Sequence, residues 1–475
     1  MSTQEPLQIV IFGGTGDLAE KKLLPALFDL YVNDYLPKQF SVIGFSRGAL
    51  SDTDYRKFVK SALVAKGKSN CEAFLEHIFF TQGDITNDES YLRLKKYLHT
   101  KDDAFGVCTN KMFHLSVPPK LYEPVFTHLA KSKLTEPCET HHENSSTWTR
   151  VLVEKPFGND ATEAKRLDEL LGELFNESQI FRIDHYVAKE ALQNIVTFRF
   201  ANSLFEPLWN SNAIESVHVR LYESFGVRDR GASYDGVGAL RDVGQNHLLQ
   251  MLALVTMQDP GENTADAIRK NRAEILSAVE LWSDDIEKCV VRAQYDEYIG
   301  TKGVSENSQT ETYFKTKLRI NTEEWKGIPV YMESGKSLDT TQSEIEVRFN
   351  HHDSCVCPKD VDATTHQNKI IFRIQPHEGI SVTFWIKRPG FEYHLDEKTL
   401  SFDYEEDVSD MTRLPDAYER VLLDCIKGDQ TLFISTEEIQ AQWRFIMDII
   451  EKWNVLPLET YEQGVRADSI SSDKI

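Results

Sequence analysis

No apolar run in the 475 residues approaches the length of a bilayer span, and the opening MSTQEPLQ lacks the basic stretch that begins a secretory signal. A cytoplasmic protein is the expectation. Basic side chains are in short supply: 53 Lys and Arg stand against 75 Asp and Glu, for a net charge of -22. That balance excludes a general nucleic-acid or membrane-surface binder, and any anionic ligand has to be met by locally placed Lys, Arg or His. Cysteine is sparse as well. Seven residues, an odd number and mostly scattered, make no disulfide framework and read as free thiols. Internal repeats and low-complexity tracts beyond short polar loops are also missing. What is left, 41% hydrophobic and 27% charged, is an ordinary globular composition on a chain too long for one core, so two domains are expected.

Three glycines and an aspartate interrupt the apolar stretch IVIFGGTGDLAEKKLLPALF, residues 9 to 28. Residues 9 to 12 read as a buried strand, and Leu23, Leu24, Leu27 and Leu30 return at helical spacing. Gly14, Gly16 and Ala19 fit the G-x-G-x-x-G/A spacing, in which a tight turn brings backbone N–H groups and a helix N-terminus up to a pyrophosphate. Gly13, Gly14, Thr15, Gly16, Asp17 and Leu18 are therefore candidate cofactor-binding residues; the plainer alternative is a strand-to-helix turn. The runs SVIGFSRG, FFTQGD, KMFHLSVPP and TRVLVEKPFG repeat the pattern of an apolar strand ending in a turn, with helical stretches between them. Residues 1 to 183 are thus predicted to form an α/β Rossmann-like dinucleotide-binding domain with a parallel, doubly wound sheet. The second strand ends in Arg47, where an NAD site usually has Asp or Glu, which points to NADP with Arg47 on the 2'-phosphate and Lys22 assisting.

Beyond FRIDHY the pattern becomes alternation. Val217, Val219 and Leu221 alternate with His218, Arg220 and Tyr222; Phe314, Leu318 and Ile320 oppose Tyr313, Lys315 and Lys317. EIEVRFN, KIIFRIQP and ISVTFWIKR do likewise, so residues 184 to 475 are expected to be a larger α+β domain with a mainly antiparallel sheet and one polar face. Two polar clusters stand out. In RIDHYVAKE, Asp184, His185, Tyr186 and Lys189 crowd together; His185 and Lys189 would share a face if a helix starts here, and with Tyr186 could hold a phosphate dianion. The competing reading is a helix start capped by Asp184. In RDVGQNHLLQMLALV, His247 precedes the stripe Leu248, Leu252 and Val255, and a packed core histidine is the alternative to a functional one. At about 100° per residue Asp242 lies roughly 140° round the helix from His247, a poor partner for it. The paired His141 and His142 read as loop residues, and HHDSCVCP, with His351, His352, Cys355 and Cys357, has a C-x-C spacing unlike structural zinc sites, so no metal is expected.

GGTGDLAEKK, EKPFG, RIDHYVAKE and RDVGQNHLLQML, in this order, closely resemble the glucose-6-phosphate dehydrogenase family, as do YLPK, WTRVLVEKPFG, QTETYFKTKLRI, VYMESGKSL, RIQP and LPDAYERVLLD. The resemblance implies oxidation of C1 of glucose 6-phosphate to the lactone with hydride transfer to NADP, the first step of the oxidative pentose phosphate pathway. It implies His247 as general base, oriented by Asp184, with His185, Tyr186 and Lys189 on the 6-phosphate and Glu223, Asp242 and Lys336 on the sugar. Lys155 would lie between nicotinamide and sugar, with Pro156 a candidate cis residue. The family's sheet commonly forms a dimer interface, so a homodimer or homotetramer is expected. Ala188 replaces the usual glycine of the phosphate motif, and no basic residue follows SGKSL, which implies a weaker KM. Arg348 and Arg373 match a second, structural NADP site found in some relatives, but Glu333 and Gln342 do not, so one nucleotide is expected. A catalytically silent NADPH sensor and a dehydrogenase of unphosphorylated sugars are the competing readings.

Overall fold

The short apolar runs that end in turns form a six-stranded, all-parallel sheet. Its strands are β1 (Leu7–Phe12), β2 (Phe40–Ser46), β3 (Ile78–Gln82), β4 (Asn110–Leu115), β5 (Thr149–Val153) and β6 (Ile180–Arg182), in the order β3-β2-β1-β4-β5-β6. This is the doubly wound dinucleotide-binding arrangement, with its switch point between β1 and β4. The computed structural model describes residues 5–136, 147–158, 160–351, 366–407, 414–471 and 475. They fall into two compact units, Met1–Ala188 with Pro415–Thr436, and Lys189–Leu414 with Glu437–Ile475.

In the first unit β1 is buried along its whole length, and within the core Phe12 stacks with Tyr91 and Phe113 and meets Phe45 edge-on. The connecting helices include α1 (Leu24–Val32), α2 (Asp52–Ala65), α3 (Asp88–Phe105), α4 (Tyr122–Lys131) and α5 (Ala161–Leu174). Ser51, Asn87 and Asp160 cap α2, α3 and α5 through their side chains, each cap contributing about 1 kcal/mol. The returning segment 415–436 completes this unit. Arg150 on β5 donates to the carbonyls of Cys425 and Ile426, Gln430 donates to the carbonyl of Ile180, and Ile434 N–H reaches the carbonyl of Arg182 on β6.

The second unit carries β7 (Ile214–Tyr222), β8 (Val279–Leu281), β9 (Val290–Tyr295), β10 (Tyr313–Ile320), β11 (Val330–Gly335), β12 (Gln342–Phe349), β13 (Lys369–Gln375), β14 (Gly379–Lys387), β15 (Leu395–Asp403) and β16 (Glu459–Tyr461). They form a ten-stranded sheet, β15-β14-β13-β12-β7-β11-β10-β9-β16 with β8 beside β10, and only β7/β11 and β9/β16 pair in parallel. The helices named here are α6 (Glu190–Phe200), α7 (Leu249–Thr256), α8 (Ala265–Ala278), α9 (Ala417–Lys427, in the first unit's returning segment) and α10 (Thr436–Lys452). Val217, Val219 and Leu221 face the core as their alternation predicts. The opposite face is less solvated than its polar residues suggest. Tyr313 is fully buried, Arg220 pairs with Glu344 at 2.9 Å and Glu346 at 3.4 Å, and Tyr222 and Tyr313 both donate to Glu333. Polar residues can be buried when their partners lie across the strands, which periodicity along one strand does not reveal.

Cys71, Cys289 and Cys425 are buried thiols, whereas Cys108 is disulfide-bonded, a departure from the all-thiol reading that a count of cysteines cannot anticipate. His141, His142, His352, Cys355 and Cys357 lie outside the described residues.

Candidate functional site

In the first unit the glycine turn sits at the carboxyl ends of the central strands. Gly13 has φ +81°, and Gly14 packs so closely on β2 that a Cβ there would lie 2.7 Å from Gly44 Cα. Tyr55 O–H donates to the Gly14 carbonyl at 2.9 Å and holds that approach. At Gly16 a Cβ would meet only the Gly13 carbonyl at 3.2 Å, so its backbone is open on the outer side. Thr15 touches Ser46 at 3.3 Å; exposed Asp17 pairs with Lys21, and Leu18 leads into a π-helical turn, Ala19–Leu23, continuous with α1. This is a cradle that suits the pyrophosphate of a dinucleotide. Arg47, exposed at the end of β2, makes no side-chain hydrogen bond among the described residues. Asp52, the next acid along, is occupied by the N–H of Phe80 at 2.8 Å. An exposed cation at this position, whose charge also acts on Asp84, fits a 2'-phosphate better than a ribose hydroxyl. Lys22 is held by Asp416, the N-cap of α9, at 3.3 Å.

The EKPFG turn follows β5 directly. Lys155 is half-buried, and its peptide bond to Pro156 is cis, as its candidate status anticipated. Next to it, Glu154 is buried with its Oε1 3.4 Å from Nε2 of His114 on β4, and Tyr418 of the returning segment hydrogen-bonds the Glu154 carboxylate. Asp184 is almost fully buried and accepts the N–H of Tyr186 at 2.9 Å. The ring of His185 meets Tyr186 edge-on at a centroid distance of 5.4 Å and is parallel to Tyr418 at 6.5 Å. Residues 185 to 188 form turns, and α6 begins only at Glu190. His185 and Lys189 are therefore not neighbours on a helix, and Asp184 is not an N-cap; its carboxylate closes a local turn instead. Glu154, Tyr418 and His114 went unnoticed in the sequence, although EKPFG and LPDAYERVLLD contain two of them.

In the second unit, Lys189 Nζ donates to the carbonyl of Ile374 at 3.3 Å. Glu223 directly follows β7, and its N–H pairs with the Gly335 carbonyl of β11. Lys336 directly follows β11, so the neighbouring strand ends bring the two side chains together. Lys336, only 3% exposed, forms ion pairs with Glu223 and, at 3.2 Å, with Asp242; it also stands 5.1 Å above the ring of Tyr234. Burial and then the carboxylates of Asp242, Glu311 and Glu223 hold Tyr234 well above the ordinary tyrosine range, so its hydroxyl stays neutral. A lysine between two carboxylates, already desolvated, is a preformed set of donors and acceptors for sugar hydroxyls.

His247 is 2% exposed. It lies in a π-helical segment, Leu240–Leu248, that runs into α7, and its N–H is held by the Asn246 side chain at 2.7 Å. This geometry removes the premise of the α-helical angle between Asp242 and His247. With i→i+5 bonds, residues five apart are separated by about one turn, so the two stand close to the same face.

Residues 10–194 match the family model "Glucose-6-phosphate dehydrogenase, NAD binding domain", and residues 196–474 match "Glucose-6-phosphate dehydrogenase, C-terminal domain". The chain belongs to the glucose-6-phosphate dehydrogenase family. It is 37% identical to the glucose-6-phosphate 1-dehydrogenase of Borreliella burgdorferi over 96% of this chain and 94% of that one. The corresponding enzyme of Bacillus subtilis is 33% identical, over 98% and 96%. Among solved structures, a glucose-6-phosphate dehydrogenase in complex with its substrate glucose 6-phosphate matches with TM-score 0.88 and 31% identity, covering 100% of this chain and 99% of that one. The Mycobacterium avium glucose-6-phosphate 1-dehydrogenase matches with TM-score 0.83 and 29% identity, covering 98% and 97%. Glucose-6-phosphate dehydrogenase family members are named from more than one compartment, cytoplasmic in Arabidopsis thaliana and chloroplastic in Nicotiana tabacum. Among the described residues of this family member no helix is long and apolar enough to cross a membrane.

Proposed function

We propose that the chain is an NADP-dependent glucose-6-phosphate dehydrogenase that oxidises C1 of the sugar phosphate to the lactone. The observation that carries this reading is the family match along both halves of the chain, together with the family's sugar-site residues Glu223, Asp242 and Lys336 standing assembled. NADP, when bound, supplies the hydride acceptor. The glycine turn and Arg47 would hold it; Lys22 would have to exchange Asp416 for a phosphate to take part. His247 removes the proton of the C1 hydroxyl as C1 is oxidised, with Asp184 as its supporting carboxylate. Lys189, His185 and Tyr186 hold the 6-phosphate, Glu223, Asp242 and Lys336 the hydroxyls, and Lys155 the reacting end of the sugar. In domain terms, we assign nucleotide binding to 1–183 and sugar binding to 184–475, less the segment 415–436 that returns to the first unit and with 184–188 also packed there, and a cytoplasmic homodimer or homotetramer is the assembly we assign.

The test is nicotinamide reduction with glucose 6-phosphate or glucose, each with NADP or NAD. A site built around the phosphate should discriminate against free glucose by on the order of 10⁴ in kcat/KM. Comparable rates with glucose would move the substrate to unphosphorylated sugars, and tight NADP binding without turnover would support a sensor. Arg47→Ala should lower the preference for NADP over NAD by roughly 10- to 100-fold, the contribution of one or two hydrogen bonds to a charged group. An unchanged ratio of kcat/KM for the two cofactors would remove Arg47 from the site.

A further inference from the structure

QTETYFKTKLRI is left without a role by the assignments above, yet its first residues touch the sugar-site elements of the second unit at several points. Thr310 Oγ1 accepts the N–H of Gly236 at 2.7 Å, and the Glu311 carbonyl accepts the N–H of Ala239 at 3.1 Å. The Glu311 carboxylate accepts the N–H of Leu240 at 3.0 Å, and the Thr312 carbonyl accepts the N–H of Lys336 at 2.9 Å. Leu240 opens the π-helical segment that carries Asp242 and His247, and no side chain of its own caps it. The first N–H groups of a helix have no partner inside it, so a buried start needs an outside acceptor. Gly238, at φ +79°, makes room for this one: a Cβ there would lie 2.2 Å from a Glu311 carboxylate oxygen.

We infer that Glu311 is a positioning residue, pinning the start of the helix so that Asp242 and His247 keep their placement relative to Lys336. The inference rests on the roles given to Asp242, His247 and Lys336 above. Its geometry is unusual for a merely structural acid. Glu311 is 2% exposed, and the charged and titratable groups that act on it are Arg241 of the helix, Arg292 of β9 and Tyr234, whose hydroxyl donates to the Glu311 carbonyl at 3.4 Å. Burial raises its pKa to about 7, against the pull of the Leu240 N–H and the two arginines. Because the folded value lies above the unfolded one, the folded state holds the proton more tightly. The stability Glu311 allows is full below the unfolded pKa and declines as pH rises through about 7.

Glu311→Ala and Glu311→Gln are to be compared with the wild type in glucose 6-phosphate turnover, in melting temperature against pH, and in amide exchange of peptides covering 239–243. Glu311→Ala should lower kcat by roughly 10- to 100-fold, the effect of a small displacement of catalytic groups, with the KM for NADP within about twofold. Glu311→Gln, which keeps an acceptor oxygen for Leu240, should recover most of that loss. It should also abolish the fall in melting temperature that Glu311 causes between its ordinary pKa of 4.5 and about pH 7. Exchange over 239–243 should speed up in the alanine variant and return toward wild type in the glutamine variant. A folded Glu311→Ala with wild-type kcat, or unchanged exchange over 239–243, overturns the inference while leaving the dehydrogenase assignment standing. A wild type inactive on glucose 6-phosphate overturns that assignment instead, and the exchange data then decide whether Glu311 pins the helix.

Discussion

His247→Asn is expected to lower kcat by about 10²- to 10⁴-fold while NADP still binds. Asparagine approximates the near half of the imidazole and can still hydrogen-bond, but it cannot accept a proton. The change is local for a physical reason. The backbone N–H of His247 is held by Asn246 Oδ1, and Asn246 in turn donates to the Asp242 carbonyl at 3.2 Å, so the π-helical segment keeps its own bonds when the ring is replaced. Steady-state kinetics with glucose 6-phosphate, beside a fluorescence titration with NADPH, separates the two quantities. Loss of nucleotide binding in parallel with kcat would indicate a disturbed fold, and retention of kcat would take the role of base away from His247.

The second large effect is on stability. Arg272 of α8 and Glu438 of α10 are both essentially inaccessible, with Nε and Oε1 2.8 Å apart, and Gln250 of α7 donates to the same carboxylate at 3.1 Å. Glu438→Ala breaks this buried ion pair by removing one partner, which costs about 3–5 kcal/mol. For a unit of this size the thermal midpoint should fall by on the order of 10 °C. Replacing the pair together, Arg272→Met with Glu438→Met, removes both charges and should recover most of that loss, because desolvation and attraction nearly cancel in such pairs. A double variant as unstable as the single one would mean that the loss comes from packing and not from the broken ion pair. Scanning calorimetry of the three proteins at one pH provides the comparison.

Much of the fold was legible because each strand of the first sheet is a short apolar run closed by a turn residue, and because β7, β10, β12, β13 and β14 alternate. β15 was not, since most of its residues are exposed on both faces and alternation carries no burial signal there. The buried polar face was misjudged for a related reason: Arg220 finds Glu344 and Glu346 on another strand, 124 and 126 positions away. Site residues were legible as motifs and less so as geometry. Nothing in RDVGQNHL announces π-helical bonding, so α-helical spacing set Asp242 and His247 apart when one wider turn relates them. Turns in RIDHYVAKE likewise replace the expected helix start. The partner of Lys22, Asp416, is 394 residues along the chain and beyond any local rule.

The return of residues 415–436 to the first unit has a consequence for how the chain is made. The strand β6 is finished by residue 182, but the N–H that pairs with its last carbonyl belongs to Ile434, and the bridge from Ile183 runs to Phe433. Between Ala188 and Thr436 the ribosome must add 248 residues, which at about 5–20 residues per second takes on the order of 10–50 s. Through that interval the half synthesised first has an open strand edge and an uncovered Phe181, which packs on Phe433 in the finished molecule. Nascent chains stalled before residue 415 should therefore be the ones chaperones retain, and a stop codon there should yield aggregates in place of a soluble nucleotide-binding fragment.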